Sequence, residues 1–346
     1  METESKLEGS GMRNVFKGLT LEKVLMKPLS IKWSAELGVF TIFIVLCVAL
    51  SIMSPSFFTT SNILNILRQV SPNGLIALGQ LLVIISGGID LSVGAIIAFT
   101  SIISAKLMLT GMSAALAIPL TLCVGMLVGL LNGVLISKGR IAPFIATLST
   151  MTIFRGFTYI MTQGIPVYGF SDKLFNYIGL GYVGQIPFPV IVTLIGFVVV
   201  GVFLKKTRTG RRIYAVGSNS EAAKMCGISN TKVQMLVYAL SGLLATIGGI
   251  IISSKLNAGV PQTGYGAELD SIAAVVIGGA SLVGGVGFVY GTGIGTLIVG
   301  VVQNGLNLLN VYSYWQSVIV GIVILVAVLS GQINIKSNRK KRTNRG

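Results

Sequence analysis

The sequence predicts an all-α protein, a polytopic bundle of about ten membrane-spanning helices with both termini in the cytoplasm. Three observations lead there. Of 346 residues, 53% are hydrophobic and only 10% are charged, against roughly 25% charged in a soluble domain, so the chain lacks the polar surface to cover itself in water. Glycine is abundant, 44 residues or about 13% against a usual ~7%, and membrane helices use small residues to bring their backbones together. The apolar runs are also long: a span needs about 20 residues.

Taken in order, the candidate spans are 36–53, 68–86, 94–110, 113–137, 143–162, 187–204, 233–254, 268–284, 287–309 and 312–330. The third, eighth and ninth are interrupted by glycine. The organisation is a cytoplasmic N-terminal segment 1–35, a membrane domain 36–332, and a basic cytoplasmic tail 333–346. The start, Met1 to Lys32, mixes Glu with Lys and has no apolar core, so it is not expected to be a signal peptide. Val15 to Leu25 fits an amphipathic surface helix and a frayed tail equally. Placing the N-terminus inside puts 1–35, 138–140, 205–232 and 336–346 in the cytoplasm. These hold every one of the 26 Lys and Arg except Arg68, Lys106, Arg155, Lys173 and Lys255, which is the positive-inside pattern. The tail from Lys336 to Arg342 sits where it meets anionic lipid headgroups, as an ordinary topology anchor. The outer loop Gln163–Phe188 fits a docking surface or a plain connection.

Composition excludes several functions. The net charge of +16 would point to nucleic acid in a soluble protein, but here it is a topology signal, and no nucleic-acid partner is expected. There is no His, and Cys47, Cys123 and Cys226 lack paired spacing, so neither His-based catalysis, a metal site nor a disulfide framework is expected. No G-x-x-x-x-G-K-[ST] loop occurs, so any ATP hydrolysis belongs to another chain.

Few polar residues within spans carry charge. Asp90 lies in Ser86-Gly87-Gly88-Ile-Asp90-Leu-Ser92-Val-Gly94. A buried carboxylate costs about 2.5–3.5 kcal/mol on insertion scales and needs partners. With Ser92 it is expected to cap a helix starting near Leu91, in a break beside a solute path. Glu268 and Asp270 open the eighth span, where the helix dipole favours acids. The rest, Gln80, Asn132, Gln303, Asn304 and Asn307, are neutral. They suit a path for an uncharged, hydroxyl-rich solute, or serve as interhelical hydrogen bonds worth about 0.6 kcal/mol. Arg155 must find a carbonyl, an acid or a headgroup. Gly87–Gly94 also echoes Gly278-Gly279-Ala-Ser-Leu-Val-Gly-Gly285 at four of eight positions, and paired glycine interruptions mark solute paths in transporters. Both stretches fall on the same side, so no inverted symmetry is read from them.

The most specific feature is the basic loop 205–232. Ser220 is expected to be an N-cap, with Glu221 in the first turn, helix formers Ala222, Ala223, Lys224 and Met225 behind it, and Gly227 as the stop. The expected product is a short helix at the membrane face, its small residues open to close contact with a cytosolic partner.

At this loop the chain resembles the ribose-type members of the branched-chain/monosaccharide ABC permease family. The resemblance rests on Gly217-Ser218-Asn219-Ser-Glu221-Ala222-Ala223-Lys-Met-Cys-Gly227-Ile228, where Ser218 departs from the family's second Gly. Ser54-Pro-Ser-Phe-Phe58, Ser86–Gly94, Lys138-Gly-Arg-Ile141, Gly266–Gly287 and Gln303–Leu309 extend it over residues 36–330. It implies a second permease copy or paralogue, cytosolic ATP-binding subunits that hold ATP and Mg, and a soluble sugar-binding protein. It further implies that Asn219–Gly227 docks on the ATP-binding subunit, and that the chain itself has no cofactor and is no enzyme. The expected function is translocation of ribose or a similar monosaccharide across a bacterial inner membrane. A nucleoside, a branched-chain amino acid or a furanose signal on the same architecture, or a secondary transporter, are the alternatives.

Overall fold

The computed structural model describes residues 35–312 and, beyond them, 315, 318, 319, 321, 322 and 325. The N-terminal segment before Ala35, most of the tenth predicted span and the basic tail lie outside the described residues.

Twelve helices are described: α1 Ala35–Met53, α2 Thr60–Ile85, α3 Val93–Leu109, α4 Ala114–Ser137, α5 Pro143–Thr162, α6 Lys173–Leu180, α7 Phe188–Lys206, α8 Arg208–Ser218, α9 Ser220–Met225, α10 Asn230–Leu256, α11 Ala267–Ile277 and α12 Val289–Leu308. A two-residue-strand hairpin, β1 Tyr182–Val183 with β2 Ile186–Pro187, precedes α7. Four helices, α4, α7, α10 and α12, are long and apolar enough to cross a membrane by length and composition, with Gly38–Met53 and α3 as shorter apolar helices. The protein is a helical membrane protein.

Small residues explain how the helices approach. Gly125, Gly129 and Gly133 recur every four residues along α4, and their faces meet the Thr246 side chain and the backbone of Gly242, Tyr238 and Met235 on α10. A side chain at Gly129 would fall 3.1 Å from the Gly242 Cα, so the two helices touch through backbone, as lipid-embedded helices do. On its other sides α10 meets α2 and α3, which makes it the axis of the bundle. The outer surface is apolar: Leu116, Leu120 and Leu127 of α4 and Leu194, Val198 and Val202 of α7 are exposed, as hydrocarbon contact requires.

The eighth predicted span is not one helix. At about 1.5 Å per residue, the 11 residues of α11 cover about 16 Å, half of a hydrocarbon core of about 30 Å. The helix stops where Gly279 takes the left-handed conformation, its N–H reaching Val276 O and that of Ala280 reaching Val275 O, and Gly278 just before it lies directly against the backbone of Gly291. The chain reaches α11 by descending along α3. Gly259 packs against Ser101, Ile102 and Ala105, and Gly264 packs against Gly94 and Ile97, about 12 Å further along the helix axis. The half-helix therefore begins part-way across the bundle.

Candidate coupling segment and translocation wall

The basic loop 205–232 contains two helices, α8 and α9, rather than the single one predicted. The N-cap of α9 is Asn219 instead of Ser220: the Asn219 side chain accepts the Ala222 N–H at 2.9 Å. Both residue types cap helices, and extended backbone at Asn219 decides between them. The stop is where the sequence puts it. Gly227 has φ +76°, its N–H reaches Lys224 O, and Ile228 N–H reaches Ala223 O. This is a Schellman motif, and glycine takes the left-handed position without strain. Ser220, Glu221, Ala222, Lys224 and Met225 are exposed, but Ala223 is buried against the bundle core. The reading of Ala223 as open to contact is corrected: in a six-residue helix, one face must anchor the rest.

The two glycine breaks are built alike. After α2, Gly87 N–H reaches Ile84 O and Gly88 N–H reaches Val83 O; after α11, Gly279 N–H reaches Val276 O and Ala280 N–H reaches Val275 O. Gly87 and Gly279 both have positive φ. Structural register thus pairs Gly87 with Gly279, one residue away from the sequence echo that pairs it with Gly278.

Asp90 is fully buried. The helix after it starts at Val93, not near Leu91, and the N-cap residue is Ser92, which makes no side-chain cap. Asp90 therefore holds the cap residue instead of capping: its Oδ1 accepts Ser92 N–H at 3.0 Å and Ser92 Oγ–H at 2.6 Å, and its Oδ2 accepts Ser241 Oγ–H at 2.8 Å. Behind Ser92, Asn132 Nδ2 donates to Ser92 Oγ at 2.8 Å, and Thr150 Oγ1 donates to Asn132 Oδ1 at 2.7 Å. With its amide oriented to satisfy both partners, Gln80 brackets the Asp90 backbone, donating to its O at 3.1 Å and accepting from its N at 3.3 Å. Ser92 and Ser241 of α10 donate to the carboxylate directly, and Asn132 of α4 and Thr150 of α5 extend the chain behind Ser92. The arrangement pins the break between α2 and α3. Gly88 lies beneath the Tyr238 hydroxyl, and Gly94 lies against Glu268 and Gly264, with no room for a side chain at either.

A different face is open. The first turn of α11 carries Glu268 and Asp270, both partly exposed, beside the exposed Tyr265 and Leu269. Gln303 of α12 donates to Asp270 Oδ2 at 3.2 Å. Arg155 of α5 donates to Pro261 O and Thr263 O and lies 4.1 Å from the Tyr265 ring centroid, which supplies the carbonyls it needs and adds a cation–π contact. Asn304 is not part of this wall. It is buried, and its amide exchanges two hydrogen bonds with Asn62 of α2, at 2.9 and 3.1 Å. It is interhelical glue.

Sequence reasoning missed Ser241, Thr150 and Asn62, single hydroxyls and an amide whose partners lie far along the chain. It also missed Tyr214, whose hydroxyl donates to Gly287 O at 2.7 Å.

The pattern of the family described as branched-chain amino acid transport system / permease component matches residues 62–328. The chain is 50% identical over 295 residues to the ribose import permease protein of Bacillus subtilis (strain 168), covering 85% of this chain and 92% of that one. It is 39% identical over 293 residues to the D-allose transport system permease protein of Escherichia coli (strain K12), covering 84% and 90%. It is 37% identical over 302 residues to the L-arabinose ABC transporter permease protein of Azospirillum brasilense, covering 87% and 89%. No solved structure matches.

Proposed function

The chain belongs to this branched-chain amino acid transport system / permease component family, and on that premise we propose that it is the membrane-spanning permease subunit of an ATP-driven sugar importer in a bacterial inner membrane. The observation that carries the reading is the 50% identity to a ribose import permease over 85% of the chain. The allose and arabinose relatives support a neutral monosaccharide as the solute, ahead of the amino acid in the family's description.

In this reading ten spans cross the membrane, α8 and α9 face the cytoplasm, and the hairpin and α6 face outward. A second permease, the same chain or a paralogue, completes the path. ATP and Mg are held by a separate ATP-binding subunit, which grips the exposed side of α9 through Asn219, Glu221 and Ala222. A soluble binding protein delivers the sugar to the outer face. Support for a path along the α11 face comes from its polar residues: Asp270, Gln303 and Tyr265 offer an acceptor, an amide and an aromatic surface to hydroxyl groups. Gly87, Gly88, Asp90, Ser92, Gly94, Gly278 and Gly279 act as breaks that hold this wall in place.

Reconstitution tests the proposal. Proteoliposomes holding the chain with its ATP-binding subunit should accumulate ribose only with internal ATP and external binding protein. Uptake by the chain alone, driven by a proton or sodium gradient, would overturn it.

A further inference from the structure

We propose that Tyr214 and Gly217 form a junction that passes movement of the coupling segment to both glycine breaks at once; this rests on the coupling role given above to α9. The C-terminal end of α8 is wedged between the ends of two other elements. Gly285 N–H donates to Ile85 O at 2.9 Å, tying the loop after α11 to the last residue of α2. Gly217 sits on that hydrogen bond. A Cβ added to it would land on Ile85 O and 2.8 Å from Gly285 N, on both partners together. From the other side, Gly284 would meet Gly217 O at 2.7 Å and the Gly87 Cα at 2.9 Å. Three backbones from α2, α8 and the loop after α11 therefore touch with no side chain between them.

One side chain closes the junction. Tyr214, one turn before Ser218 on α8, is half-buried and donates its hydroxyl to Gly287 O at 2.7 Å. Gly287 packs in turn on Leu81 and Ile85 of α2. Close-packed backbone contacts transmit displacement because interiors compress little, and hydrogen bonds at both ends keep the contact from sliding. Displacing α8 and α9 thus moves the end of α2 and the 278–288 loop as one unit. Those are the two elements that set the position of α3 with Asp90 and of α11 with Asp270. Tyr214 is a positioning residue for transport: it touches no solute and acts through Gly287.

The test uses the assembled transporter in proteoliposomes, reading ribose uptake per ATP hydrolysed alongside co-purification of the ATP-binding subunit. Tyr214→Phe keeps the ring and removes one hydroxyl. The expected result is co-purification as in wild type, with uptake per ATP down about fivefold, the population factor set by one net hydrogen bond. Gly217→Ala should lower the ratio further, and Tyr214→Phe decides the matter if Gly217→Ala fails to insert. An unchanged ratio in Tyr214→Phe overturns the proposal, as does loss of co-purification, which would make Tyr214 part of the docking surface. Glu221→Arg separates the two readings. If it keeps both co-purification and ratio, the docking role of α9 fails; if it loses co-purification while Tyr214→Phe is normal, only the junction fails.

Discussion

Replacing Asp90 by Ala removes one carboxylate and strands three donors: the Ser92 N–H, the Ser92 hydroxyl and the Ser241 hydroxyl. All lie in a fully buried site. A buried group left without its partner costs about 1–3 kcal/mol. The two hydroxyls can rotate toward other acceptors, whereas the N–H cannot, so the expected loss is about 3–5 kcal/mol rather than the full sum. Asp90→Asn should cost less, about 1–3 kcal/mol. Its remaining oxygen serves Ser92 and its new NH2 donates to Ser241 Oγ, so fewer groups are stranded than in Asp90→Ala. The measurement is reversible unfolding of the purified protein in mixed micelles, with Ser241→Ala and the double variant completing a thermodynamic cycle. Coupling between Asp90 and Ser241 of about 1 kcal/mol or more is expected for residues in direct contact. Equal stability of wild type and Asp90→Ala, or a larger loss in Asp90→Asn than in Asp90→Ala, would refute the view that this carboxylate pins the break.

Two further outcomes follow from the ends of the bundle. Asn219→Ala removes the acceptor of the Ala222 N–H and should cost α9 about 1 kcal/mol, while Gly227→Ala forces a side chain into φ +76° at about 1–2 kcal/mol. Since six residues do not hold a helix alone, both variants should bind the purified ATP-binding subunit several-fold more weakly, and unaltered affinity would exclude a preformed α9 from docking. At the other end, backbone N–H groups, that of Ala114 first and then Phe175, hold the Asp172 carboxyl below its ordinary range. A lowered folded-state value means that its stabilisation is present above the unfolded value of about 3.9 and is lost as pH falls through the folded one. Protection factors against hydrogen exchange in residues 163–188, measured against the intrinsic rate at each pH, should therefore fall below about pH 4, and Asp172→Asn, which cannot titrate, should flatten that fall.

The features legible in the sequence are those set by local composition. Apolar runs locate α3, α4, α5 and α7 to within a few residues, and Gly227 terminates α9 because a left-handed residue is needed there. What the sequence hides depends on partners distant in the chain. Ser241 is one hydroxyl in an apolar helix, and only folding brings it to Asp90, 151 residues away. The run 268–284 is apolar enough for a span; the left-handed Gly279 that ends its helix is one glycine among several in the run, and the contact of Gly278 with Gly291 depends on the fold. Asn304 reads as a path residue until Asn62 is seen opposite it. Ala223 gives no direction by itself, since six residues are too few to reveal a buried face.

The open face of α11 must be wet or covered. Glu268 and Asp270 are partly exposed in the first turn of a half-helix that begins part-way across the bundle; Glu268 Oε2 turns inward against Gly94, buried and without a hydrogen-bond partner among the described residues, which leaves Asp270 as the acid toward the open face. A carboxylate facing hydrocarbon would cost about 2.5–3.5 kcal/mol, which disfavours lipid contact there by a factor of about a hundred. The exposed face of α7, with Val198 and Val202, carries no such penalty. With Cys47, Cys123 and Cys226 replaced, Leu269→Cys in the assembled transporter should react with a small charged maleimide, because thiolate forms only where water reaches. Val198→Cys should react only with a lipophilic reagent. If Leu269→Cys ignores the charged reagent and takes the lipophilic one as Val198→Cys does, α11 faces lipid and the sugar passes elsewhere.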